Sequence, residues 1–188
     1  MKKQQTIMMV ITLSIISLLA VPVFAEIKTV SLHVDGLSCP FCALSLEKKL
    51  KSIDGISTVT VHLKKAITDL TLKPTSQLDL KAIHTAVKEA GFTLKDIQIA
   101  VSGNVLQDKD GFFIVESQED KMRFFLFDES HTDVNPSSSN SHMLDAHIEK
   151  QLLKAQKDNK TIEIDGIIHQ HADMPISLII KNFELKSE

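Results

Sequence analysis

Two cysteines, Cys39 and Cys42, are the only ones in the chain, and they stand two residues apart in Gly36-Leu37-Ser38-Cys39-Pro40-Phe41-Cys42. A cysteine at a helix start has a lowered pKa, because free backbone N–H groups and the helix dipole favour thiolate. Two thiolates on one exposed loop make a soft site of low coordination number. Such a site suits Cu(I) or Hg(II) better than a hard cation. Zn(II) ordinarily takes four ligands, and two thiols supply half of them. The same C-x-x-C spacing also serves dithiol redox centres, so the motif alone leaves metal binding and thiol–disulfide exchange both open. A second, weaker candidate is Ile168-His169-Gln170-His171-Ala172-Asp173-Met174. His169 and His171 alternate at a strand end and so point the same way, and Met174 adds a soft thioether. A polar hairpin with solvated histidines explains this stretch more simply.

The elements around the cysteines are legible. Val30, Leu32 and Val34 alternate with Thr29, Ser31 and His33, which predicts a strand with one apolar face. Cys39 falls near a helix N-cap and Pro40 suits the first helical position. Ala43, Leu46, Leu50 and Ile53 then mark one buried stripe of that helix. Val59, Val61 and Leu63 make a second strand, Lys64-Lys65 a tight turn, and 66–72 a third strand stopped by Pro74. Ser76 and Asp79 resemble a capping box ahead of a second helix carrying Leu80, Ile83, Val87 and Ala90. Gly91 closes that helix, and a fourth strand runs from Thr93 through Ile99. This order predicts a ferredoxin-like βαββαβ unit, with an antiparallel sheet and both helices on one face.

Residues 27 to about 99 resemble the heavy-metal-associated domain of copper chaperones, metal-pumping ATPases and periplasmic mercury-binding proteins. That family's loop, Gly-Met-x-Cys-x-x-Cys after the first strand, is matched by Gly36 through Cys42. Leu46, Leu50, Gly55-Ile56 and Val59-Thr60-Val61 fall where the family has its helix stripe and second strand. Glu89-Ala90-Gly91-Phe92 falls where it has an Ala-Gly-aromatic loop. The resemblance implies that Cys39 and Cys42 ligate one soft metal ion, with Cu(I) or Hg(II) favoured over Zn(II). It implies support of the loop by Gly36, Leu37 and Phe92. It also implies handover by thiolate exchange to a metal transporter or another metal-binding protein. Leu37 replaces the family's Met, and Pro40-Phe41 replaces small or polar residues.

The second half predicts further β-structure. Strands are expected at 100–106, 112–116, 122–127, 161–168 and 175–183, with Asp108-Lys109-Asp110-Gly111 as a turn and a helix over 142–157. Three strands, a helix and two strands is the order of an OB-like barrel. Phe112, Phe113, Phe124, Phe125 and Phe127 read as core and not as a base-stacking face. The expected class is α+β: a signal peptide at 1–25, a ferredoxin-like domain at 26–99 and an OB-like β-barrel domain at 100–188.

The signal peptide is read from Met1-Lys2-Lys3, a short apolar run from Ile7 to Ala20, and Val23 and Ala25 before a cut at Glu26. The apolar run is shorter than the ~20 residues of a membrane span, so no stable membrane insertion is expected after cleavage. A periplasmic or secreted protein follows. The remaining 163 residues carry a net charge of −5 once Lys2 and Lys3 are gone, which argues against a nucleic-acid partner. No convergent acid, base and nucleophile set appears, so no catalysis is expected. The alternatives carried are a thiol–disulfide protein and an interaction module acting through the barrel.

Overall fold

In the computed structural model residues 26–74, 76–115, 123–129, 144–170 and 176–186 are described. Strand β1 (Glu26–Asp35) leads into helix α1 (Pro40–Lys51), followed by β2 (Ile56–His62) and β3 (Ile67–Leu72). Helix α2 (Leu80–Glu89) leads into β4 (Thr93–Asp108), and β5 (Gly111–Val115) and β6 (Arg123–Asp128) follow. Helix α3 (Ala146–Lys157) precedes β7 (Ile162–His169) and β8 (Ser177–Leu185). The signal-like stretch 1–25 and His171 and Met174 lie outside the described residues.

The first unit has strand order β2-β3-β1-β4, with every pairing antiparallel. Val30, Leu32 and Val34 are buried on one face of β1, as their alternation requires. Ala43, Leu46 and Leu50 of α1 and Ile83, Ala86 and Val87 of α2 close over that face. This is the ferredoxin-like arrangement. Both helices lie on the same side because both crossovers join strands of one sheet in the right-handed sense.

The Lys64-Lys65 turn is a short 3-10 segment, Leu63–Lys65, ended by Ala66 in the left-handed region at φ 53°. Helix α2 begins one turn later than a Ser76 cap would have it. Its N-cap is Asp79, whose Oδ1 accepts from Ala82 N at 2.8 Å. Asp79 therefore takes the capping role itself. Asp79→Ala is expected to lower stability by about 1 kcal/mol, since one first-turn N–H loses its acceptor. Urea unfolding of the two proteins side by side checks this.

The second half is a closed five-stranded barrel. Its order is β4-β5-β6-β8-β7, with β7 returning to β4. The pairing β6–β8 is parallel and the others are antiparallel. Closure leaves no open sheet edge within the barrel. Strand β4 runs unbroken across the expected boundary at residue 99. Residues 98–102 pair with β1 on one side and with β7 on the other, and 104–108 pair with β5. The two units thus share a strand, and one hydrophobic cluster runs from Leu32 and Leu46 to Phe124 and Leu178. Helix α3 starts at Ala146, capped by Asp145, and not at residue 142.

Glu163 also joins the units. Its Oε2 accepts from Lys28 Nζ of β1 at 3.1 Å and from Lys186 Nζ at 2.6 Å. Lys186 first and Lys28 second hold this carboxyl below the ordinary glutamate value of 4.5. A carboxyl depressed in the folded chain binds fewer protons than in the unfolded chain. Its contribution is therefore present above about pH 4.5 and lost as pH falls through the folded value. Melting temperatures at pH 6 and pH 3.5 are expected to differ less in Glu163→Gln than in the wild type. The group is partly exposed, so solvent screening keeps the effect small.

Candidate metal centre

The cysteine loop sits at the end of the first unit where β1 stops and α1 starts. Gly36 takes φ 89°, a backbone conformation open to glycine and costly for other residues. Ser38 N then donates to Gly36 O at 2.8 Å and tightens the loop. Cys39 is the N-cap of α1 in extended conformation, Pro40 occupies the first helical position, and Ala43 N donates to Cys39 O at 3.0 Å. Proline fits there because its missing N–H has no helical partner in any case. Leu37 is buried and anchors the loop from beneath.

Both cysteines are free thiols, Cys39 half-buried and Cys42 exposed. The Cys42 thiol beside Cys39 holds the Cys39 pKa below the ordinary 9.0, with help from the backbone N–H groups of Cys42 and Phe41. The same contact with Cys39 pushes Cys42 up. One sulfur is thus prepared as thiolate by the other and by the first turn of α1. Among the described residues no group of three or more His, Cys, Asp or Glu stands ready to hold a metal. Cys39 and Cys42 supply two soft donors on one exposed loop.

The far wall of the loop comes from the end of α2. Gly91, at φ 86°, lets Gly91 N donate to Lys88 O at 3.0 Å and Phe92 N to Val87 O at 3.1 Å. These two bonds end the helix as a Schellman motif. They turn Phe92 toward the cysteine loop, where a Cβ on Gly36 would lie 3.6 Å from the Phe92 ring. Gly36, Leu37, Cys39, Cys42 and Phe92 are thereby gathered at one end of the sheet. His169 closes β7 opposite Ser177.

Two histidines of the first unit, His33 on β1 and His62 on β2, are only partly exposed. Each has a carboxylate partner on the sheet face away from the helices. His33 Nδ1 lies 2.9 Å from Asp96 Oδ2, and His62 Nε2 lies 2.9 Å from Asp69 Oδ2. Ser31 Oγ donates to Asp69 Oδ1 at 2.6 Å. The signal was strand parity: Ser31 and His33 occupy the positions between Val30, Leu32 and Val34. The partners, 38 and 63 residues away, needed the sheet register.

Residues 31–93 match the model of the heavy-metal-associated domain. The mercuric transport protein periplasmic component of Pseudomonas fluorescens is 32% identical over 82 residues, which are 43% of this chain and 89% of that one. Copper-transporting ATPase 2 of Rhizobium meliloti is 33% identical over 72 residues, 37% of this chain but 8% of the ATPase. A solved structure described as the CopZ metallochaperone is 22% identical, with a TM-score of 0.34, covering 36% of this chain and all of that one. The chain belongs to the heavy-metal-associated domain family through its first unit. The domain that defines the family is a metal-binding one and not a catalytic one. The barrel lies outside the matched residues.

Proposed function

We propose that this is an exported carrier that binds one soft metal ion, Cu(I) or Hg(II), through Cys39 and Cys42 and passes it to a metal transporter or another metal-binding protein. The observation that carries the reading is the pair of free thiols set together at the first turn of α1, in a chain of this family. Handover follows from the exposure of Cys42. An incoming thiolate can reach the ion while one of the two sulfurs is still attached, so the ion need not be free in solution. Leu37 and Phe92 close the inner side of the loop and leave the outer side for the acceptor.

Export rests on the signal-like residues 1–25 and on the likeness to periplasmic components. Among the described residues no helix is long and apolar enough to cross a membrane. We read residues 26–99 as the metal domain and 100–188 as an OB-type barrel. The barrel reading is supported by the order β4-β5-β6-β8-β7, the parallel β6–β8 pair and a helix between β6 and β7. Its role in the reading is to dock the partner.

Anaerobic titration of the reduced chain with Cu(I) or Hg(II) tests the proposal. One tight equivalent per chain is expected. A chain that takes up neither ion, yet whose Cys39–Cys42 disulfide exchanges readily with glutathione, is a thiol–disulfide protein instead.

A further inference from the structure

The most exposed large apolar side chains among the described residues are Phe41, 86% exposed, and Leu44, 63% exposed. They lie three apart on α1, on the side opposite the buried stripe of Ala43, Leu46 and Leu50. Phe41 stands between the two cysteines. Nothing in the core requires either residue, since both point away from it.

The surroundings are cationic. The antiparallel topology brings the end of β1, the Leu63–Lys65 turn, the start of α1 and the end of α2 to the same end of the unit. Val34 N donating to Ala66 O at 2.9 Å ties the turn to β1 there. Lys64, Lys65 and Lys88 are exposed, and none of them forms an ion pair among the described residues. Of the nearby carboxylates, Asp35 is engaged by Lys95 and Glu89 by Lys49, while Glu47, one turn beyond Leu44 on α1, is partly buried. An acidic protein thus presents one basic end with an apolar tip.

We infer that this end docks on an anionic lipid surface, with Phe41 and Leu44 entering the interface and Lys64, Lys65 and Lys88 facing the headgroups. Two features favour lipid over a protein. The two apolar side chains are largely exposed, and a deformable interface accepts projecting side chains without a matching recess. The lysines ring the tip on several elements, which suits a diffuse negative surface, and their alkyl stems can lie along the apolar layer. Docking would hold the cysteine loop at headgroup level. The inference goes beyond the metal-carrier reading and holds whether or not that reading does.

Co-sedimentation of the chain from residue 26 onward tests it, using vesicles of equal parts phosphatidylglycerol and phosphatidylcholine and vesicles of phosphatidylcholine alone. Binding is expected to the anionic vesicles, weakening with added salt. Phe41→Ser with Leu44→Ser should lower the partition coefficient about tenfold. Lys64→Glu with Lys65→Glu should lower it similarly. Cys39→Ser with Cys42→Ser should leave it unchanged, which separates this result from any failure of metal binding. All these side chains are exposed or half-buried, and circular dichroism verifies that each variant is folded. The inference is overturned if the wild type ignores anionic vesicles, which would assign the patch to an acidic protein, or if the Phe41 and Leu44 variant binds them like the wild type.

Discussion

Replacing Cys39 and Cys42 together by serine is expected to abolish tight binding of Cu(I) or Hg(II) while leaving the fold intact. The size of the loss follows from ligand count. A four-ligand structural zinc site has an apparent binding free energy of about 10–16 kcal/mol, so each ligand carries roughly 3 kcal/mol. Removing two thiolates then weakens binding by on the order of 10⁴-fold. The hydroxyls left behind are hard and stay protonated, so they do not substitute. The fold is spared because Cys42 is exposed, Cys39 is half-buried and the N-cap makes no side-chain hydrogen bond. Competition against a chelator of known affinity measures the loss, and thermal melting verifies the fold. A double variant that keeps wild-type affinity would sink the assignment of both sulfurs.

The two single variants separate the sulfurs. Cys39→Ser removes the thiol that its neighbours prepare as thiolate. Cys42→Ser removes the exposed sulfur. Each should weaken binding by roughly 10²-fold.

The first unit was legible because its signals are local. The alternation at 30–34 and the spacing of Ala43, Leu46 and Leu50 each decide one face of one element. Gly36 and Gly91 mark left-handed turns that other residues resist. The cysteine loop was legible for the same reason, since its two cysteines, its proline and its flanking strand and helix are contiguous. What was not legible is set by register. The His33–Asp96 and His62–Asp69 pairs depend on which strands become neighbours. The helix start at Leu80 turned on two acceptors three residues apart, and Asp79 reaches the first-turn N–H groups directly. In the second half the strands were placed to within a few residues, but their closure depends on the parallel β6–β8 pair, which joins segments about fifty residues apart. No local pattern encodes that pair. Nor did the expected boundary at residue 99 reveal that β4 would be paired on both sides at 98–102.

That shared strand leads to the second large expected effect. Phe124→Ala is expected to destabilise the whole chain by about 3–5 kcal/mol. Phe124 is fully buried on β6, opposite Ile114 of β5, in the cluster that extends through Val101 and Ile99 to Leu32 of the first unit. Alanine leaves a cavity that the closed barrel cannot collapse around, because each strand is hydrogen-bonded on both sides. For a chain of this size the melting temperature should fall by roughly 6–20 °C. The informative point is how it falls. If β4 holds the units together, the barrel cannot open without freeing one side of residues 98–103, to which β7 is paired. The core under the first unit would then lose its continuation, and the Glu163 bridge to Lys28 would break as well. One cooperative transition is therefore expected. Amide exchange should show β1 and β8 losing protection together in Phe124→Ala. If β1 amides stay protected after those of β8 have exchanged, the units are independently stable and the shared strand is only a covalent link. Coincident loss would mean that a change deep in the barrel reaches the cysteine loop through backbone pairing, and that the second half contributes to keeping the metal loop folded.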